Sequence, residues 1–229
     1  MKSLQNKKQQ QAGFIYLVLA ALFIASLVTC NLIANKFVKV DMGFHVFQVS
    51  AGVLPYPITF LITDILSEIY GRQRTNQVVL AGFFSTLLVL GILYVGHNFP
   101  AIESSPVSEQ DYSSVFQNSW KIIMASMVAY LAAQFLDIRI FHFWKRVTKG
   151  KHLWLRNNFS TVISQLVDTT LVVSIIFIGV AEVSFITGLI ADGWLFKILF
   201  ALADTALIYP IVIGFRKYFE LEPGEELDF

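Results

Sequence analysis

The chain has 229 residues, 55% of them hydrophobic and only 14% charged, and its mean hydropathy is +0.63. Ordinary soluble domains carry about 25% charge, so the bilayer rather than water is the solvent to assume. A helical span consumes about 20 residues; six spans with short loops use up most of the chain and exclude a separate soluble domain. The single cysteine, Cys30, rules out an intrachain disulfide. A net charge of +1 decides nothing about partners until the charges are placed along the chain.

The first span is predicted over 13–34, after a polar start carrying Lys2, Lys7 and Lys8. An export signal with a lipoprotein-like box at Leu27-Val-Thr-Cys30 is the rival reading; the Thr before the cysteine suits it poorly. The second span, 49–70, has Pro55 and Pro57 in its first half, which suits an irregular entrance, and closes at Gly71-Arg72. The third, 77–95, leads into a polar segment from His97 to Ser119 with Glu103, Glu109 and Asp111 but no Lys or Arg. The fourth, 120–143, ends in the basic stretch Lys145, Arg146, Lys149, Lys151, Arg156. The fifth, 159–181, returns to Glu182, and the sixth, 194–215, ends at Arg216-Lys217 and an acidic tail read as solvated.

This is an all-α, polytopic membrane protein of six transmembrane helices in one integral domain. Of its seventeen cations, twelve fall in the segments placed inside, two (Lys36 and Lys39) in outer loops, and Lys121, Arg139 and Lys197 within or beside spans. Because cytoplasmic loops collect Lys and Arg, that asymmetry predicts both termini in the cytoplasm. The cations track topology, so no nucleic-acid partner is expected; the immediate partner is membrane lipid.

Five acids lie inside apolar runs: Asp64, Glu68, Asp137, Asp168 and Asp204. Each costs about 2.5–3.5 kcal/mol at mid-bilayer on insertion scales, so each should face the bundle interior, a partner or a water-filled cavity. Phe60, Asp64, Glu68 and Arg72 recur every four residues and share a helix face. There a structural ladder, with Arg72 neutralising Glu68, competes with a functional role, which suits the deeper Asp64 better. Gln134 with Asp137 and Gln165 with Asp168 repeat an amide–carboxylate pair at i, i+3; Asp168-Thr and Asp204-Thr form a second echo. Such internal similarity is common in transporters, whose polar groups from several helices meet near the midplane. Asp137 could instead pair with Arg139. Lys197, about two turns before Asp204, either snorkels to the outer edge or supplies a countercharge to the buried acids. Asn31 and Asn35 put amides at the outer end of the first span, where they can pack, cap or touch solute. Phe60, Tyr130, Trp194, Phe200 and Tyr209 are candidate aromatic surfaces, and Pro210 should kink the last span.

The segments Asn31-Leu-Ile-Ala-Asn-Lys36, Ile62-Thr-Asp-Ile-Leu-Ser-Glu-Ile-Tyr-Gly-Arg72, Ser164-Gln-Leu-Val-Asp-Thr169 and Ala203-Asp-Thr205, with Lys197 upstream, resemble the bacterial queuosine precursor transporter family. The second-span motif is its most specific part. The resemblance implies uptake, through the bacterial inner membrane, of 7-cyano-7-deazaguanine, 7-aminomethyl-7-deazaguanine or a related base used in tRNA modification. The family is also similar in size and span number to the substrate-binding subunits of energy-coupling-factor vitamin transporters, an analogy of fold. A deazaguanine presents an N1–H and a 2-amino group to a carboxylate, a carbonyl to an amide and a flat face to aromatics. The expected substrate contacts are Asp64, Glu68, Gln134, Gln165, Asp168, Asp204, Asn31 and Lys197; another vitamin-like heterocycle would use the same groups.

An enzyme is not expected: the Gly-x-Gly-Asp signature of intramembrane aspartyl proteases is absent, and Asp168-Thr and Asp204-Thr lack the glycine that follows in soluble aspartic proteases. A retinal pigment would need seven spans, and a structural scaffold leaves five buried acids unexplained. An ion or proton channel is the alternative that buried carboxylate chains keep open. No cofactor is expected, and no Walker-type loop is present for ATP hydrolysis. Facilitated entry with metabolic trapping is the default expectation and proton coupling through Asp64 or Asp168 its rival; a homo-oligomer and an external ATPase partner stay open.

Overall fold

The computed structural model describes residues 6–34, 36–116, 120–179 and 181–227; Lys2 and Asn35 lie outside them, as does the side chain of Lys121. In chain order the elements are α1 (Asn6–Leu32), β1 (Phe37–Asp41), β2 (Val46–Ser50), a 3-10 turn (Ala51–Val53), α2 (Tyr56–Ile69), α3 (Gly71–His97), α4 (Glu109–Phe116), α5 (Trp120–Val147), α6 (Leu153–Phe177) and α7 (Val183–Phe219). Among the described residues, six helical segments are long and apolar enough to cross a membrane: 7–32, 51–69, 71–97, 123–147, 153–177 and 183–219. The expected six-span, helical architecture is therefore present, with helices longer than the apolar runs mark out in every span but the second. Both α3 and α7 begin ahead of the expected runs, α3 with the polar turn Gly71-Arg-Gln-Arg74 and α7 with the largely apolar Val183-Ser-Phe-Ile186.

The shortest span is the most enclosed. α2 is packed by α1, α3, α5 and α7, and Thr59, Thr63, Asp64, Ser67 and Glu68 are buried along it with Phe60, Ile65 and Leu66. A helix that is polar as well as apolar around its circumference cannot face lipid, whose hydrocarbon solvates no polar group. It takes the centre, and the more uniformly apolar α1 and α3 take the outside, with Phe14, Leu17, Phe84 and Leu88 exposed.

Residues 37–50, read from sequence as part of an outer loop and a span entrance, form an antiparallel hairpin instead. Phe37 pairs with Ser50 and Asp41 with Val46. Gly43 takes φ 81° at its tip, and Asp41 Oδ1 accepts the Gly43 N–H at 2.8 Å. The hairpin is docked rather than free: Phe47 packs edge-on against Phe196 of α7, ring centroids 5.3 Å apart, with Val49 beside them. Val49 and Ser50 thus end a strand, and the second span starts later than expected, at the 3-10 turn.

α2 and α3 part at Gly71, whose φ of 82° suits glycine alone. Arg72 therefore belongs to a new helix and is exposed on it; the expected continuous face 60-64-68-72 breaks after Glu68. The acidic tail is not solvated either. Leu221 and Leu227 are buried, the Leu227 N–H donates to the Ile69 carbonyl at 2.7 Å, and the Gly224 backbone lies against Gly150 in the α5–α6 turn, so close that a Cβ on Gly150 would stand 2.5 Å from Gly224 N.

Candidate functional site

Beneath the hairpin lies a cavity of about 390 Å³, within the size range of small-molecule sites. Its walls come from the last turns of α1 (Leu27, Cys30, Asn31), from Gln48, Ser50 and Val53, from Tyr56 at the head of α2, from Ser126 and Tyr130 of α5, and from α6 and α7. The 3-10 turn can lie against α1 because residue 52 is glycine: a Cβ there would stand 2.2 Å from the Cys30 carbonyl oxygen. Ser50 fastens the same joint by donating from Oγ to the Ala34 carbonyl at 2.6 Å and accepting the Gly52 N–H at 3.2 Å.

One ion pair marks the wall between α6 and α7. Lys197 Nζ lies 2.5 Å from Asp168 Oδ2 and donates to Thr169 Oγ1 at 3.1 Å. It also sits 5.0 Å from the centroid of the Tyr56 ring, and the Tyr56 hydroxyl donates to Asp168 Oδ1 at 3.4 Å. Lys197 is 7% exposed; of the two readings of this lysine, the countercharge is the one present, and it does not snorkel. Nearby the Tyr130 hydroxyl is buried without a hydrogen-bond partner. Against mostly apolar walls such as Val172, Val173 and Ile176, the paired carboxylate and ammonium beside two phenols is the only ion pair among the described lining residues. A flat, polar-edged ring could exchange hydrogen bonds with it while its faces met hydrocarbon and aromatics.

The eight residues singled out from sequence divide into three levels. Asn31, Asp168 and Lys197 line the cavity. Gln165 and Asp204 line a small recess beside it, walled also by Tyr56, Phe60 and Lys197. Asp64, Glu68 and Gln134 line neither and lie deeper along α2 and α5. There the carboxyls of Asp64 and Asp137 are within hydrogen-bonding reach of one another, and the Thr63 hydroxyl is 3.5 Å from Gln134 Oε1. Asp137 does not pair with Arg139, which is exposed; it accepts from Ser164 Oγ at 2.9 Å instead, because the two residues face each other across the α5–α6 hairpin.

Farthest from the β-hairpin, Glu68 is fully buried under three cations. Arg156 Nη2 approaches Glu68 Oε1 to 2.6 Å, Arg216 bonds the same oxygen, and Lys145 Nζ stands 3.9 Å from Oε2. Lys145 also donates to the Glu68 carbonyl at 3.0 Å and to Glu226 Oε1 of the folded-back tail at 2.9 Å. Arg72, the expected partner, takes no part, since Gly71 has turned it away. Arg156, expected in a loop, is buried in the first turns of α6. Three helices thus converge on one carboxylate of a fourth, with the tail bonded to Lys145, and that end is sealed by charge while the hairpin end holds the cavity.

Sequence reasoning missed Tyr56, Gln48, Ser126 and Thr169 as wall residues and Arg156 as a buried cation. Tyr56 stands between two prolines at a helix head, which is a signal; Gln48 becomes visible only once the hairpin is formed.

Residues 50–211 match the family described as "Putative vitamin uptake transporter". The chain is 30% identical to a "Probable queuosine precursor transporter" of Bacillus subtilis (strain 168), over 71% of this chain and 67% of that protein. It is 25% identical to a protein of the same name from Haemophilus influenzae (strain ATCC 51907 / DSM 11121 / KW20 / Rd), over 77% and 75% of the two chains. A "Queuosine precursor transporter" of Escherichia coli (strain K12) is 25% identical over 59% and 58%. No solved structure matches at a significant level. The family match runs from the end of β2 to the last turns of α7 and takes in the α2, α5, α6 and α7 walls of the cavity; this chain belongs to the queuosine precursor transporter family.

Proposed function

We propose that this protein carries a queuosine precursor, 7-cyano-7-deazaguanine or 7-aminomethyl-7-deazaguanine, into the cell across the bacterial inner membrane, and that the hairpin-side cavity is where the base binds. The observation that carries this reading is the Asp168–Lys197 pair set beside Tyr56 in a mostly apolar cavity. A guanine-like edge offers N1–H and a 2-amino group as adjacent donors. Asp168 accepts from both, while Lys197 holds the carboxylate in place. The amides of Asn31 and Gln48 can meet the ring carbonyl, and Tyr56 and Tyr130 flank the ring faces. Gln165 and Asp204 line the recess next door and serve the route of the base out of the cavity.

The orientation belongs to the same proposal. The sealed end gathers Lys145, Arg156 and Arg216, so with both termini cytoplasmic the cavity faces outward and the ionic seal inward. A tag at residue 3 or after the tail is then unreachable from outside intact cells, and one at Ser108 is reachable. Outside labelling of the tail overturns this orientation.

Titration calorimetry on detergent-solubilised protein tests the ligand class. Deazaguanines should bind about one to two decades more tightly than adenine, whose N1 is an acceptor and leaves Asp168 opposite another acceptor, an unpaired contact costing about 1–3 kcal/mol. Equal affinity for adenine, or binding of an unrelated heterocycle in preference to both, overturns it.

A further inference from the structure

Between the cavity and the ionic seal, Asp64 of α2 and Asp137 of α5 are 2% and 0% exposed, and their carboxyls are within hydrogen-bonding reach of each other. Asp64 Oδ1 and Asp137 Oδ2 are buried without a hydrogen-bond partner, whereas Asp137 Oδ1 accepts from Ser164. Among the described residues, charged groups set against Asp64 besides Asp137 are Asp204 of α7, a third acid, and Arg156 of α6. The Arg156 guanidinium is committed elsewhere, to Glu68 and to the Lys151 carbonyl at 2.9 Å. The hydroxyls of Ser160, Thr161 and Ser164, also set against Asp137, are neutral.

Two carboxylates in contact, away from water and with no cation of their own, repel; a single proton between them replaces the repulsion with an O–H···O⁻ hydrogen bond. We propose that Asp64 and Asp137 form a proton-binding site that holds one proton, and that its loading and release are coupled to movement of the base. Placement supplies the coupling. Asp64 lies one turn from Phe60, which walls the recess, and one turn from Glu68, which ties the sealed end. The pair bridges α2 and α5. With the proton in place the two helices are held together; its loss sets two negative charges against each other and drives them apart. A base leaving toward the sealed end requires this separation, so each base moved is accompanied by one proton.

The inference rests on the transport reading above, and a single preparation separates the two. Purified full-length protein is reconstituted in liposomes holding a pH-sensitive dye, with the membrane potential clamped, and 7-cyano-7-deazaguanine is added outside. The expected result is interior acidification in step with uptake in the wild type. Asp137→Asn leaves no second charge to repel Asp64, so it should lose the proton influx and the base movement together while still binding the base in calorimetry. Asp64→Asn supplies the same arm if Asp137→Asn fails to fold, and the wild-type dye trace stands by itself. Uptake without acidification in the wild type, or undiminished acidification in a folded Asn variant, overturns the coupling. Absence of exchange of labelled against unlabelled base in the wild type overturns the transport reading and the coupling with it.

Discussion

Replacing Glu68 with Gln removes one negative charge and almost no volume, and the cost falls on the cations left behind. Glu68 and Arg156 side chains are both 0% exposed, and Arg216 is 20% exposed. Lys145 keeps Glu226 and the backbone carbonyls of Ser67 and Glu68, and Arg216 can turn toward solvent. Arg156 can do neither; its remaining partners are the Lys151 carbonyl and the Phe141 ring at 5.4 Å. The loss is therefore that of one orphaned buried charge, about 3–5 kcal/mol. For a chain of this size each kcal/mol shifts Tm by about 2–4 °C, giving a fall of about 6–20 °C. Thermal unfolding followed by intrinsic fluorescence in one fixed detergent reads it. Adding Arg156→Gln to Glu68→Gln should recover part of the loss, because the orphan is removed along with its partner. A shift under about 2 °C in the single variant would refute the view that Glu68 neutralises the sealed end.

Asp168→Asn should weaken deazaguanine binding by about 1.5–3 kcal/mol, roughly ten- to a hundredfold, since two donors lose a charged acceptor and Lys197 loses its partner; calorimetry showing unchanged affinity would move the binding site elsewhere. Truncation after Glu220 exposes the surface covered by Leu221 and Leu227 and strips Glu226 from Lys145. Two leucines contribute about 3 kcal/mol or more before the entropy of ordering the tail is subtracted, so Tm should fall, and an unchanged Tm would show the tail to be loosely held. Gly71→Ala forces a Cβ into a φ of 82° and within 2.2 Å of Glu226 Oε2. A loss of about 1–2 kcal/mol from the backbone alone, read by the same unfolding assay, is expected to persist when Glu226 is replaced by Gln.

Much of the architecture was legible in the chain because the bilayer tolerates few solutions. Spanning segments must satisfy their backbone internally and present apolar side chains to lipid, so six apolar runs announced six helices, and acids inside those runs announced the interior. The short motif from Ile62 to Glu68 pointed to a polar inner helix, and α2 is the most enclosed span. What periodicity cannot supply is the partner across the bundle. Glu68 meets Arg216 from 148 residues away, whereas nearby Arg72 is turned aside by a single left-handed glycine; sequence proximity favoured the wrong cation. Lys197 was read two ways until Asp168 was found beside it. The β-hairpin left only a faint trace, two five-residue alternations around Gly43, because its stability comes from Phe47 docking on Phe196 of a helix far along the chain. The acidic tail looked solvated because its composition is polar, yet Leu221 and Leu227 find a groove that exists only once α2, α5 and α6 are packed. Composition and hydropathy fixed which segments enter the membrane and which charges must be hidden there; which charge hides against which was decided by helix packing, since a buried ion is stabilised by whatever group the tertiary structure sets a few ångströms away.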